Sequence, residues 1–165
     1  TAIGGHADGM RISGARNINV SNLNVSGKWA GVQLDSAIKT TENEAVGWGY
    51  PASRNINISN VSISDCDLGL IVRRFGIILE FKVNISNLTL SGIHSHGIDI
   101  QSVGGIQISN IRSDSRIRFL NLRGPVSLNG LDQTGGSVEF TGYDPELAAM
   151  TLHGFRIYAV AFLVC

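Results

Sequence analysis

Three of the chain's four histidines stand in two short phrases, His6-Ala-Asp8-Gly9 and His94-Ser-His96-Gly97. An imidazole of suitable pKa is a common general base near neutral pH. Asp8 lies inside the first phrase and Asp99 just after the second. Arg73 and Lys28 add cations that could neutralise an anionic group and ease removal of a neighbouring proton. His6, Asp8, Arg73, His94, His96 and Asp99 are therefore the candidate catalytic residues. Carboxylates could instead work in pairs, as acid with base or nucleophile, and Asp8, Asp35, Asp65, Asp67 and Asp99 supply that type. The plainer reading stands beside both: polar residues at strand entries often only satisfy turn backbones, and Asp65-Cys66-Asp67 suits a capped turn.

Such scattered residues meet only if the fold stacks them, and the repeats say how. RNINVSN (16–22), RNINISN (54–60), KVNISN (82–87) and GGIQISN (104–110) are versions of one phrase. Each is followed by a second alternating run: LNVS (23–26), VSIS (61–64), LTLS (88–91) and IRS (111–113). A third, Gly-led run recurs as GMRIS (9–13), GVQLD (31–35), GLIVR (69–73) and GIDIQ (97–101). Period-two alternation marks strands with one apolar face, and internal repeats of this length mark a solenoid. The expected fold is all-β: a right-handed, single-stranded parallel β-helix of about five to six coils, three short strands to each.

Asn22, Asn60, Asn87 and Asn110 recur at intervals of 38, 27 and 23 residues. The surplus falls at one corner, where SAIKTTENEAVGWGYPAS (36–53) and RFGIILEF (74–81) replace brief turns. Asn tolerates the left-handed backbone better than other non-glycine residues, and when stacked its amides can bond from coil to coil as an asparagine ladder. PVSLNGL (125–131) reads as one more ladder coil, with Asn129 at its corner. The ladder also explains the Asn-x-Ser/Thr matches at Asn57, Asn60 and Asn87, ahead of glycosylation. The aliphatic spacing fits a leucine-rich repeat as well, but that repeat needs helical signal where the Gly-led runs alternate like strands.

If Gly9, Gly31, Gly69 and Gly97 are aligned rungs, one outward face carries Arg11, Gln33, Ile71 and Asp99 two residues beyond them. Ser13, Asp35, Arg73 and Gln101 lie four beyond. Asp8, Ala30, Leu68 and His96 stand just before the glycines, and His6, Lys28, Cys66 and His94 three before. The opposite corner is plain Ser and Asn.

Composition sets the outer bounds. Only 7% of the 165 residues are aromatic and 16% charged, and the 13 basic and 13 acidic side chains cancel. Nothing there favours a nucleic-acid groove or an anionic membrane surface. Cys66 and Cys165 form no CxxC pair, so neither a metal site nor a disulfide framework is indicated, although the two could bond to each other. The chain starts abruptly at TAIGGHADGM with no secretory signal, as if cut from something longer. FRIYAVAFLVC (155–165) is too short to cross a bilayer and reads as a final core strand or a truncated end. Coils are expected over 1–142, and 143–165 as an irregular segment, either a cap or a last strand, with ELAAM (146–150) able to open a short helix.

The ladder asparagine between two alternating strands, repeated over about residues 8–113, resembles the pectate-lyase-like superfamily. That family holds pectate lyases, polygalacturonases, alginate lyases and epimerases, and phage tailspikes. The resemblance implies a polysaccharide partner on the exposed face of the Gly-led sheet, with no nucleic acid and no membrane. It implies a secreted, cell-surface or virion-associated protein whose open solenoid ends could self-associate. Lyase or C5-epimerase chemistry on a uronate chain leads. A polygalacturonase-like hydrolase and a non-enzymatic adhesin or tailspike segment are the alternatives. Arg11, Lys28, Trp29, Gln33, Asp35, Trp48, Tyr50 and Gln101 become candidate substrate-binding residues, the aromatics by stacking on sugar rings. Calcium is the one cofactor the family suggests, with Asp65 and Asp67 as candidates. Of the polygalacturonase pattern the chain offers His6-Ala-Asp8-Gly9, Ser64-Asp65-Cys66-Asp67, Ser95-His96-Gly97 and Arg116-Ile117-Arg118 in order. Its Asp-Asp pair is split by Cys66.

Overall fold

The computed structural model describes residues 7–13, 15–36, 54–74, 82–103, 105–122, 125–141, 150–153, 156–157 and 162–164. Among them the regular structure is all strand, and every pairing is parallel. One seven-stranded sheet runs β1 (Asp8–Ser13), β3 (Ala30–Ser36), β5 (Leu68–Arg74), β7 (His96–Gln101), β9 (Ile117–Leu120), β11 (Val138–Thr141) and β14 (Phe162–Val164). The second runs β2 (Arg16–Ser26), β4 (Arg54–Ser64), β6 (Val83–Ser91), β8 (Ile106–Ser113), β10 (Val126–Gln133) and β12 (Met150–His153), with β13 (Arg156–Ile157) also on β10. From β1 to β12 odd strands lie in one sheet and even strands in the other, the signature of a chain winding as a parallel β-helix. The Gly-led runs are strands, which removes the leucine-rich alternative.

Three runs per coil make two sheets because the Asn phrase and the run after it form one bent strand. At the bend Asn22, Asn60, Asn87 and Asn110 adopt left-handed φ of 55°, 54°, 55° and 53°. The kink lets residues three apart, such as Ile58 and Val61, both point inward, where they are 2% and 3% exposed. Outside, Asn60 Nδ2 donates to Asn22 Oδ1 at 3.0 Å, Asn87 to Asn60 at 2.8 Å and Asn110 to Asn87 at 3.0 Å. Shorter ladders run through Asn17 and Asn55 and through Asn19, Asn57 and Asn84. The expected corner at Asn129 is displaced by one residue. Asn129 pairs with Ser109, and Gly130, at φ 68°, takes the left-handed place and ends the ladder. Gly needs no side-chain bond to hold that conformation.

Between the sheets lies a narrow aliphatic core. Ile56, Val83, Ile106 and Val126 form one inward column and Ile58, Ile85, Ile108 and Leu128 the next, all buried. Cys66 joins this core as a free thiol, its Sγ–H on the Ser64 carbonyl. Within 143–165, β12, β13 and β14 extend both sheets. Of ELAAM, only Met150 is described, and it opens β12.

Replacing Asn60 by Ala removes two ladder bonds and places a Cβ-bearing residue without a bonding side chain in the left-handed region. We expect a loss of about 1–3 kcal/mol in urea unfolding. Asn60→Gly should lose clearly less. Equal losses would mean that the backbone conformation is not what selects Asn there.

Candidate functional site

The register places Gly9, Gly31, Gly69 and Gly97 side by side, between the paired positions Asp8, Ala30, Leu68, His96 and Met10, Val32, Leu70, Ile98. Each glycine turns inward. A Cβ on Gly31 would sit 2.3 Å from Ile63 Cγ2, and one on Gly69 2.3 Å from the Gly97 carbonyl oxygen. The close approach of coil to coil therefore demands Gly. The following residue also faces the core, after which alternation resumes and presents two polar columns outward. One reads Arg11, Gln33, Ile71, Asp99, Arg118 and Glu139; the other reads Ser13, Arg73, Gln101, Leu120 and Thr141, with the backbone of Asp35 paired between Ser13 and Arg73.

Asp99 is the centre of this face and is wholly buried. Arg73 Nη2 donates to its Oδ2 at 2.8 Å, and Arg118 holds both oxygens through Nε at 3.0 Å and Nη2 at 2.9 Å. Gln101 Nε2 adds bonds of 3.0 and 2.8 Å to the same carboxylate. Burial by itself pushes the Asp99 carboxyl up, but the bonds from Arg118, Arg73 and Gln101 outweigh it and hold the group below its ordinary value. Asp99 is thus a fixed counter-ion. It cannot readily serve as a proton donor.

Two guanidiniums on one carboxylate leave a surplus positive charge, presented by Arg73 and Arg118 side chains that are 24% and 29% exposed. Beside them His96 is nearly buried, with Nδ1 2.8 Å from Ser95 Oγ. Among the described residues its Nε2 has no partner. Burial first, and then the charge of Arg118, lower the His96 pKa against the opposing pull of Asp99. The imidazole is neutral at neutral pH. Arg116 and Glu139 pair at 2.8 Å on the next rungs.

The other candidates do not all gather here. His94 stands at the corner, exposed, with Nδ1 3.0 Å from Asp67 Oδ1, rather than on the face with His96. Ile71, fully buried, interrupts the polar column between Gln33 and Asp99. It divides Asp8, Arg11 and the buried Gln33 from the Asp99 group. Trp29 packs over Ala30, Leu68 and Ile71, and Lys28 is exposed at the corner. His6, Trp48 and Tyr50 lie outside the described residues, as does the side chain of Asp35.

Asp65 and Asp67, the calcium candidates, stand between β4 and β5. Asp65 is a left-handed corner residue at φ 52°, and Asp67 is engaged by His94. Among the described residues no three His, Cys, Asp or Glu side chains are grouped to hold a metal ion. Arg118 was missing from the rung alignment because β9 has no leading Gly. Its pairing with Asp99 across β7 and β9 was readable only by counting a coil without that marker.

No family model, curated protein or solved structure matches this chain.

Asp99→Asn would leave two guanidiniums facing a neutral amide, and we expect a loss of about 3–5 kcal/mol on unfolding. Acid should act in two stages, because both shifted groups have lowered folded pKa values and so bind fewer protons folded than unfolded. Stability should start to fall below pH 6.5 as unfolding lets His96 take up a proton, and fall again below 3.8 through Asp99. Urea titrations across pH check this, and His96→Gln should remove the first stage alone.

Proposed function

We propose that this protein acts on an acidic polysaccharide of the uronate type, laid along the outer face of the first sheet, as a lyase or C5-epimerase. The observation that carries the reading is the surplus-positive Arg73–Asp99–Arg118 cluster with a neutral histidine beside it. A uronate carboxylate would pair with the exposed edges of the guanidiniums, which are already oriented by Asp99. Neutralising that carboxylate acidifies the C5 proton, and His96 Nε2 is the nearby group able to accept it. The electron pair left on C5 moves into the carboxylate. It then either expels the C4 oxygen, which takes the proton held on His96 Nε2 and gives a C4–C5 double bond, or takes a proton from a water on the other face, the resulting hydroxide being neutralised by the proton held on His96. Because Nε2 is sealed in the resting protein, contact with the sugar requires the imidazole to swing outward.

The resemblance to the pectate-lyase-like superfamily supports the substrate class through the β-helix and its ladder, and with it a secreted, cell-surface or virion-associated setting. A hydrolase is less well supported. Asp8 and Asp99 lie three rungs apart, about 14 Å at β-strand spacing, beyond the separation that carboxylate pairs use. Glycan binding without turnover, as in an adhesin or tailspike segment, is the second reading. It is favoured by one observation, that both arginines are already engaged by Asp99.

Incubation with polygalacturonate and with alginate tests the proposal, read by ultraviolet absorbance of an unsaturated product and by proton NMR in D2O for exchange at C5. We expect one of the two signals, reduced at least ~100-fold in His96→Ala with binding retained. Neither signal on either polymer, or full activity in that variant, would overturn the proposed chemistry. Binding alone would leave the second reading.

A further inference from the structure

On the second sheet, away from the Asp99 cluster, an open cavity of about 650 Å³ is lined by Asn55, Asn57, Lys82, Asn84, Gln107 and Ser127, among others. Its volume lies within the ~300–1,000 Å³ span of small-molecule sites. Two asparagine ladders stop here. In both, each Nδ2 donates toward the preceding coil, so the amide oxygens point toward the cavity end. Lys82 follows Asn55 in one column and Gln107 follows Asn84 in the other. The Oδ1 atoms of Asn55 and Asn84 therefore end their ladders, and among the described residues no amide donates to them.

Lys82 is itself unusual. Its column holds Asn17 and Asn55 on one side and Gly105 on the other, all left-handed, and Lys82 shares that conformation at φ 49°. Lys has neither the short bonding side chain of Asn nor the freedom of Gly, so its conformation is strained. With Lys in place of Asn the column gives up a ladder bond, and a basic side chain joins the amides that line the cavity. No carboxylate lines that cavity among the described residues. The unfilled amide acceptors suit sugar hydroxyls, and the cation suits one acidic group.

We infer that this cavity is a binding site for a carboxylate-bearing sugar unit, with Lys82 on the carboxylate and the terminal Asn55 and Asn84 oxygens accepting from hydroxyls. The site stands apart from the first-sheet reading: it needs no chemistry there and survives that reading's failure.

The test uses the ¹⁵N-labelled full chain titrated with oligogalacturonate, following the side-chain amide signals of Asn55, Asn84 and Gln107. We expect saturable shifts that persist in His96→Ala and weaken about tenfold or more in Lys82→Asn. That variant should fold with an unchanged or higher melting temperature, since Asn suits the column. The fully methyl-esterified oligomer should bind as weakly as the variant does, and acetate alone should not saturate. Absence of shifts, equal affinity in Lys82→Asn, equal affinity for the ester, or saturation by acetate at the same concentration would each overturn the inference.

Discussion

Every coil of this protein has to return to the same place one strand spacing further along the axis. The residues that permit that return are those whose backbone can turn left-handed. Among the described residues four corner columns meet the requirement, at Asn17, Asn55, Lys82 and Gly105, at Asn22 through Gly130, at Gly27, Asp65 and Gly92, and at Ser102 and Asn121. Asn and Gly dominate because both occupy this region at little steric cost. Asn adds an amide that bonds to its equivalents above and below. The corners hold the register, and the register stacks aliphatic on aliphatic through the core. Each fully buried Ile or Leu then contributes roughly 1.5–3 kcal/mol, spread evenly along the solenoid rather than concentrated in a centre.

The same stacking explains why charge can be buried on the outer face. Neighbouring rungs bring Arg73, Asp99 and Arg118 from three different coils within bonding distance. An isolated buried carboxylate would be protonated or excluded. Here two guanidiniums and the Gln101 amide satisfy it. The arrangement holds both cations in fixed positions on the outer face.

Strand alternation, the Gly-led rungs and the Asn corners were legible in the sequence because each depends on a local rule: side-chain period, left-handed tolerance, or the space available to a Cβ. The rule failed where two residues satisfy it equally. Asn129 and Gly130 both accept a positive φ, and only the pairing of Asn129 with Ser109 decides between them. At 150–153, 156–157 and 162–164 short strands without the phrase join the sheets through their backbone bonds. Three runs per coil became two sheets because a left-handed kink bends a strand without ending it.

The candidate face follows the same division. Its membership, including His96, Asp99, Gln101 and Arg73, came from counting positions before and beyond a glycine, because outwardness is a property of local alternation. What each residue does there came only from the folded chain. Asp99 reads in sequence as one more candidate carboxylate and is a sealed counter-ion; His94 and His96 look equivalent and are separated to a corner and a face. Which groups meet, and whether water reaches them, depends on neighbours a full coil away. Composition and periodicity carry no record of those distances.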